Sequence, residues 1–473
     1  MSRIKFGTSG WRGIFCEDFT LDNVRVVTQA IADHLRARGQ HHQGVVIGHD
    51  SRFMGERFAR ETACVLAGDG IPAFLCNRDT PTPVIALEVL RRGAAGAINF
   101  TASHNPHDYN GMKFSSHWGG PALPEDTNDI EERANALLGE ICFKEMPLDE
   151  ALQNGIVQEI DPRPGYFAEL EKMVNLVAIA ESGLTIAVNP LYGTGRGYLD
   201  ELLRKAGARV VCMHDHRDPY FGGFPPEPAA AYIDDFIQLV RNDATIGLGL
   251  ATDGDGDRFG IVDDDGTFIE PNYILALLYD YLITTRRLRG DAARSVATSH
   301  FLDAVADFHG LRVIETPVGF KYIGELIRDG KILLGGEESA GLTITGHVPE
   351  KDGILACLLV AEMVAITGKP LRVLLQDLYR RVGSYYCRRR NVRLTESLEQ
   401  AFAKKMETPP KAIGAFAVRR ISTVDGWKFF FDDGGWLLLR KSGTEPVVRI
   451  YGEGRSEDQL ARLMAAANDF LLS

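Results

Sequence analysis

Three times along this chain an alternation of strand and helix signals ends in a strand that delivers an unusually polar loop. The first copy opens with GVVIGHD (44–50), continues through helically spaced ERFARETACVLAGDG, PAFLC and PVIALEVLRRG, and reaches GAINF, which leads into TASHNP (101–106). The second runs LTIAVNP (184–190), GTGRGYLDELLRKAG, RVVCMHD, DDFIQLVRND and ATIGLGLAT, and delivers DGDGDR (253–258). The third runs SVATSHF (295–301), LDAVADFHG, RVIETPV, KYIGELIRDG and KILLGG, and delivers EESAG (337–341). The first and third copies share wording, DTPTPV (79–84) against ETPV (315–318). Self-similarity at about a hundred residues predicts homologous α/β domains, because solenoid repeats are only about 20 to 50 residues long. Ligands in open α/β sheets bind beyond the carboxyl ends of strands, so three such loops are expected to face one cleft.

After about residue 375 the texture changes to strands such as GGWLLLRKSG and PVVRIYGEG, with helices at TESLEQAFAKKM and SEDQLARLMAAANDFLL. This predicts a smaller α+β domain. The expected division is 1–150, 151–257, 258–375 and 376–473, in keeping with a 473-residue chain too long for one core. A net charge of -12 argues against nucleic acid or an anionic membrane as partner, while leaving room for local basic pockets. The longest apolar run, GILACLLVAEMVAIT (353–367), is interrupted by Glu362 and is shorter than the roughly 20 residues of a bilayer span, so it predicts a buried helix. The amino-terminal stretch has no apolar signal core. The seven cysteines are scattered and never spaced CxxC, which predicts free thiols in a reducing cytoplasm.

The loops carry the chemistry. Asp253, Asp255 and Asp257 alternate with glycines, and three converging carboxylates repel one another unless a cation is present. An all-oxygen set suits Mg²⁺ or Ca²⁺, but the EF-hand pattern fails, with Arg258 at its glycine position and Asp264 at its glutamate position. The nearby VDDDGTF (262–268) predicts a plain hairpin turn. RKSGTEPVVRIYGEG places Arg440, Lys441 and Arg449 around SGT, a set that suits phosphate and also suits a solvated basic loop. Arg12 sits in a similar glycine-rich bend, FGTSGWRG. No P-loop exists, and GTGRG (193–197) lacks dinucleotide spacing; a tight turn with close helix packing explains its glycines. Glu337, Glu338 and Ser339 can bond sugar hydroxyls or open a helix. Ser103 is either a turn-former or a nucleophile. A serine, a cation, a phosphate receptor and a hydroxyl-binding loop together make a consistent set for phosphoryl transfer, with Lys113 or His104 managing the proton.

TASHNPHDYNGMK, DGDGDR, GEES and RKSGTEPVVRIYGEG, in this order, resemble the four signature loops of the α-D-phosphohexomutases, which include phosphoglucomutases, phosphomannomutases and phosphoglucosamine mutases. FGTSGWRG, GHDSR (48–52), TPTPV and FPPEP (224–228) extend the resemblance over essentially the whole chain. It implies three tandem α/β/α domains plus the smaller fourth, around one central cleft. Ser103 would be carried as phosphoserine, with one Mg²⁺ held by Asp253, Asp255, Asp257 and an oxygen of phospho-Ser103. Lys113 and Arg258 would act beside the reacting oxygen, and Arg12, His104 and Asn105 would line the serine. Gly319, Phe320, Lys321, Glu337 and Ser339 would face the sugar. Arg440, Ser442, Gly443, Thr444 and Arg449 would hold the non-reacting phosphate.

The implied reaction interconverts hexose 1-phosphate and hexose 6-phosphate through a bound 1,6-bisphosphate, with glucose 1,6-bisphosphate as intermediate and activator. Such a cycle needs a hinge near residues 370–385 so that the fourth domain can release and regrip. Bacterial phosphomannomutase and phosphoglucosamine mutase relatives often carry a histidine after the GExS motif that GEESAGL lacks. The GEES form with GHVPEKDG (346–353) resembles the phosphoglucomutase side, and Lys351 is the nearest substitute for that histidine. The expected substrate is glucose phosphate, with mannose phosphate second. Phosphoglucosamine mutase, or a non-catalytic phosphosugar-binding protein, is the alternative. A cytoplasmic monomer or homodimer acting on small phosphosugars is expected.

Overall fold

The computed structural model describes residues 3–7, 10–139, 143–442 and 447–472. Its first sheet has seven strands, in the order Phe6–Gly7, Gly10–Ile14, Tyr109–Ser116, Gly96–Phe100, Val45–His49, Ala73–Cys76 and Val157–Ile160. The runs VVIGH and GAINF are buried at every position, as expected of central strands covered by helices on both faces. The second sheet orders Phe268–Ile269, Phe259–Asp263, Ile246–Thr252, Thr185–Asn189 and Arg209–Cys212. The third orders Val313–Thr316, Ala292–Ser295, Leu334–Glu337 and Gly341–Ile344.

The threefold pattern is visible in the pairing. In each unit the loop-delivering strand runs parallel to an earlier central strand and is followed by an antiparallel return strand. Residues 101–108, 253–258 and 338–340 are therefore equivalent connections. Strand pairing carries the first sheet past residue 150, to Ile160, and the second past residue 257, to Ile269.

The third unit departs from expectation at its first strand, which is Ala292–Ser295 and not SVATSHF. Ser295 Oγ meets Thr298 Oγ1 at 2.9 Å, and Ser299 Oγ accepts from Phe301 N at 2.9 Å. These hydroxyls turn the chain into the helix Phe301–Phe308. VDDDGTF forms the expected hairpin turn, and its Asp263 accepts from the amides of Leu371 and Arg372 at the start of the helix Leu371–Val382.

The helix Gly353–Thr367 is buried without a break from Gly353 to Val364 and belongs to one apolar cluster that spans the second and third units and takes in Val84, Ala86 and Leu87 of the first. Asp352 caps it by accepting from Leu355 N at 2.9 Å. Among the described residues, no single helix is long and apolar enough to cross a membrane.

The fourth sheet, Tyr386–Arg393, Val447–Gly454, Trp436–Lys441, Trp427–Phe431, Phe416–Ser422 and Ala412–Ile413, is antiparallel throughout and packs one face on its own helices. Its other face meets the third unit through Trp436, Leu438 and Tyr451 against Val296 and Ala297. Two charged groups are buried in this contact. Lys428 Nζ donates to Val296 O at 2.7 Å, Glu315 Oε2 at 2.9 Å and His300 Nε2 at 3.0 Å. Glu453 accepts from His300 N at 3.0 Å, from Trp436 Nε1 at 2.7 Å and from Ser299 Oγ.

Candidate active site

The serine loop is built around a left-handed residue. Ser103 has φ +51°, a region that non-glycine residues occupy only when their surroundings impose it. Arg52 supplies much of that constraint. Its fully buried guanidinium donates through Nη2 to the carbonyls of Ser103 at 2.7 Å and Asn105 at 2.6 Å. Through Nη1 it donates to Pro106 O at 2.6 Å and Tyr109 O at 2.9 Å. Asp50 pairs with Arg52 Nε at 3.1 Å, and the Phe221 ring stacks 4.9 Å from the guanidinium carbon. Ser103 N donates to Thr101 Oγ1 at 2.8 Å, and Asn105 N donates to Ala102 O at 3.0 Å. Asn105 thus serves the turn, and its side chain also accepts from Arg12.

The serine faces the second unit. Its Oγ donates to Asp253 Oδ2 at 3.0 Å, and His104 Nδ1 lies 3.4 Å from the same hydroxyl. Gly254 makes the approach possible, since a Cβ there would stand 3.0 Å from Ser103 O. Gly193, the first glycine of GTGRG, does similar work. A Cβ at Gly193 would sit 2.7 Å from Gly254 O and 2.9 Å from Asp253 O, so the expected close packing is against the aspartate loop and not against a helix.

Asp253, Asp255 and Asp257 are fully buried and offer carboxylate oxygens within 4.8 Å of one another. Lys113 Nζ donates to Asp255 Oδ2 at 2.6 Å and Asp257 Oδ2 at 3.0 Å. Lys351 Nζ pairs with Asp257 Oδ2 at 2.8 Å, and Arg258 Nε lies 3.8 Å from Asp257 Oδ1. Thr82 Oγ1 donates to Asp255 Oδ2 at 2.6 Å. The remaining oxygens, Asp255 Oδ1 and Asp257 Oδ1, are buried without a hydrogen-bond donor. Orphaned anionic oxygens in an all-oxygen set fit a hard divalent cation such as Mg²⁺.

Burial and repulsion from Asp255 and Asp257 hold the Asp253 carboxyl well above its ordinary pKa. Burial pushes Asp255 and Asp257 the same way, but Lys113, joined at Asp257 by Lys351 and Arg258, outweighs it and holds both low. Burial depresses Lys113, yet the two aspartates win and raise it. Burial and the neighbouring Arg258 and Arg12 hold His104 well below the ordinary histidine value. Burial, with Arg258 nearby, lowers Arg12 to about 10.

A cavity of about 30 Å³ is lined by Lys113, Asp257, Phe320, Lys321, Glu350 and Lys351, which brings the third unit to the same centre. Glu337 closes its strand and accepts from Gly319 N at 2.9 Å. Glu338 and Ser339 lie in a strand-to-strand turn and not at a helix start. Arg440 and Arg449 face each other across two strands of the fourth sheet, forming a separate cluster tied to the third unit by Asp425. Ser442 follows the strand that carries Arg440, while Gly443 and Thr444 lie outside the described residues. A larger cavity of about 220 Å³, lined by His49, Arg60, Arg78, Glu159 and Arg217, contains none of the expected residues; chemistry and not volume marks the site.

Comparison with known families matches all four units. Residues 3–138, 164–266 and 270–382 match phosphoglucomutase/phosphomannomutase α/β/α domains I, II and III, and residues 390–469 match the C-terminal domain of the same family. The chain belongs to the α-D-phosphohexomutase family. Phosphohexomutases are isomerases that act as intramolecular phosphotransferases. A phosphoglucomutase/phosphomannomutase of Thermococcus kodakarensis is 30% identical over 96% of this chain and 95% of its own. A Methanothermobacter thermautotrophicus protein provisionally named a phosphoglucosamine mutase is 31% identical over 96% and 94%. A crystal structure from Thermus thermophilus, provisionally named a phosphomannomutase, superposes with TM-score 0.86 at 31% identity over 100% of both chains. Relatives at nearly equal identity carry different sugar names, so likeness identifies this phosphohexomutase by class and not by hexose.

Three residues of the site escaped the sequence reading. Arg52 and Thr82 lie in GHDSR and TPTPV, where nothing local says that either side chain is buried. Glu350, whose burial raises its carboxyl to about 7 beside Lys351 and Lys113, sits in EKDG with no pattern of its own.

Proposed function

We propose that this phosphohexomutase interconverts glucose 1-phosphate and glucose 6-phosphate, with mannose phosphates as second substrates, and that Ser103 carries the phosphoryl group. The observation that carries this reading is the Ser103 hydroxyl held on a left-handed turn, 3.0 Å from the first of three buried aspartates. In the first step the bond between phosphorus and Ser103 Oγ breaks as a sugar hydroxyl bonds to phosphorus; the hydroxyl proton passes to a protein base, and the freed Ser103 Oγ takes up a proton to become the neutral hydroxyl. The resulting hexose 1,6-bisphosphate turns around, and its other phosphate returns to Ser103.

Asp253, Asp255 and Asp257 are the residues that would hold Mg²⁺, with an oxygen of phospho-Ser103. Bound there, the ion supplies positive charge to the phosphoryl oxygens. Arg12, His104 and Asn105 line the serine. Burial with Arg258 and Arg12 keeps His104 neutral, while Lys113 keeps its proton as long as Asp255 and Asp257 face it unscreened. Arg258 stands beside the reacting oxygen. Phe320 and Lys321 wall the sugar, Glu337 and Ser339 bond its hydroxyls, and Lys351 takes the cationic place of the absent histidine. Arg440, Ser442, Gly443, Thr444 and Arg449 grip the distal phosphate. Gly383, with φ +87° between the helix Leu371–Val382 and the strand Tyr386–Arg393, is the joint for regripping.

A second reading, phosphoglucosamine mutase, draws support from the Methanothermobacter thermautotrophicus relative. Side-by-side kcat/KM on glucose, mannose and glucosamine 1-phosphates decides between them. Glucose foremost supports the first reading, and glucosamine foremost replaces it.

A further inference from the structure

Two consecutive amides of the turn after Thr316 are held by carboxylates from different units. Val318 N donates to Asp425 Oδ2 at 2.9 Å, and Gly319 N donates to Glu337 Oε1 at 2.9 Å. The same Asp425 oxygen accepts from Arg440 Nε at 2.8 Å. Hydrogen bonds therefore link Arg440 through Asp425 and the 318–319 backbone to Glu337 without a gap.

The backbone link has little slack. Only the φ and ψ of Val318 separate the two amides, because the peptide between them is planar. Gly319 sits at φ +133°, a conformation that side chains rarely adopt. On the fourth unit, Asp425 lies in the hairpin between Phe416–Ser422 and Trp427–Phe431. Gly426 follows with φ +86°, and a Cβ there would stand 2.7 Å from Leu439 O and 3.1 Å from Arg440 Cα. Glycine lets the hairpin lie flat on the neighbouring strand, which brings Asp425 to Arg440.

We propose that Asp425 is a positioning residue that couples the phosphate grip of the fourth unit to the sugar grip of the third. This rests on the roles proposed above for Arg440 and Glu337. Asp425 moves with the fourth unit, so any displacement that withdraws Arg440 also takes the acceptor away from Val318 N and frees the turn that orients Glu337. Phosphate and sugar hydroxyls are then released together, which is what a bisphosphate needs in order to turn around. The coupling is reciprocal, as binding linkage requires.

The test is a double-mutant cycle on glucose 6-phosphate binding, measured by calorimetry, with kcat and KM determined in parallel. Asp425→Asn retains an oxygen for Val318 N and loses the charge facing Arg440, whereas Asp425→Ala removes both. Loss of a charge-assisted bond predicts binding weaker by about tenfold for Asp425→Ala, with a smaller loss for Asp425→Asn. Glu337→Gln is expected to weaken binding several-fold in the wild-type background and by clearly less when Asp425 is already alanine. Losses that simply multiply would overturn the coupling, because a merely local role for Asp425 gives that result. Unchanged binding in Asp425→Ala while Arg440→Ala loses it would also overturn it. Unchanged binding in Arg440→Ala would remove the phosphate-receptor role itself, and this inference with it. Asp425→Asn, nearly isosteric, keeps the test readable if the alanine variant does not fold.

Discussion

Ser103 Oγ donates to Asp253 Oδ2 at 3.0 Å across 150 residues of sequence, joining the loop of the first unit to the loop of the second. Removing the hydroxyl deletes one hydrogen bond, and Asp253 keeps its bond from the Arg258 amide at 3.0 Å. Ser103→Ala is therefore expected to keep the fold, at a cost of about 1 kcal/mol, while turnover falls at least about a thousandfold. Circular dichroism with a coupled mutase assay checks both halves; near-normal turnover would contradict the role of Ser103.

Arg52 holds the serine turn by four carbonyls and neutralises buried Asp50. Breaking such a pair from one side leaves a buried charge alone, which costs about 3–5 kcal/mol. Arg52→Met should lower both Tm and kcat. Adding Asp50→Asn should recover part of the stability and none of the turnover, because the carbonyls of the turn stay without their donor. Equal recovery of both would show that Arg52 acts on stability alone.

Metal binding requires deprotonated carboxylates, and burial with two like charges holds Asp253 well above its ordinary pKa. Proton and ion compete at that carboxyl. The rise in Tm produced by Mg²⁺ is expected to be larger at about pH 8 than at about pH 5, and Asp253→Asn should flatten the difference. A shift that does not change with pH in the wild-type protein would contradict this.

Burial in the contact between third and fourth units, with Arg294 nearby, lowers Lys428 from 10.5 to about 8 against the opposing pull of Glu315. The folded protein gives up this proton near pH 8, and the unfolded chain keeps it until its ordinary value. The unfolded state thus binds more protons between those points, so the contribution of Lys428 to stability rises with pH across that window. Below it the full penalty is present. The stability of the wild-type protein relative to Lys428→Met should climb from about pH 8 to about pH 10, read by denaturant unfolding. A flat difference would contradict the lowered pKa.

Much of the fold is legible in the sequence because α/β units announce themselves. Continuous apolar strands such as VVIGH and GAINF and the glycine-punctuated loops give the three related units, and only the first strand of the third unit is misplaced. The centre of the site is legible for a different reason. Asp253, Asp255 and Asp257 alternate within one short loop, and Ser103 sits in a loop of distinctive wording. Arg52, Thr82 and Asp425 are not legible, because their importance lies in partners 51, 173 and 107 positions away. A charged residue looks solvated until the fold buries it. The fourth sheet shows the same limit, since nothing in WKFFF or YGEG announces that Lys428 and Glu453 face another unit.

The most direct measurement follows a phosphate. Purified protein treated with glucose 1,6-bisphosphate is analysed by intact mass and peptide mapping, and is then mixed with unlabelled glucose 1-phosphate. One phosphate is expected, on Ser103, which leaves the protein and appears in the bisphosphate in a Mg²⁺-dependent step. Protein that turns over hexose phosphates with no phosphate on Ser103, or with a phosphate there that stays in place through turnover, would contradict the carrier role of Ser103.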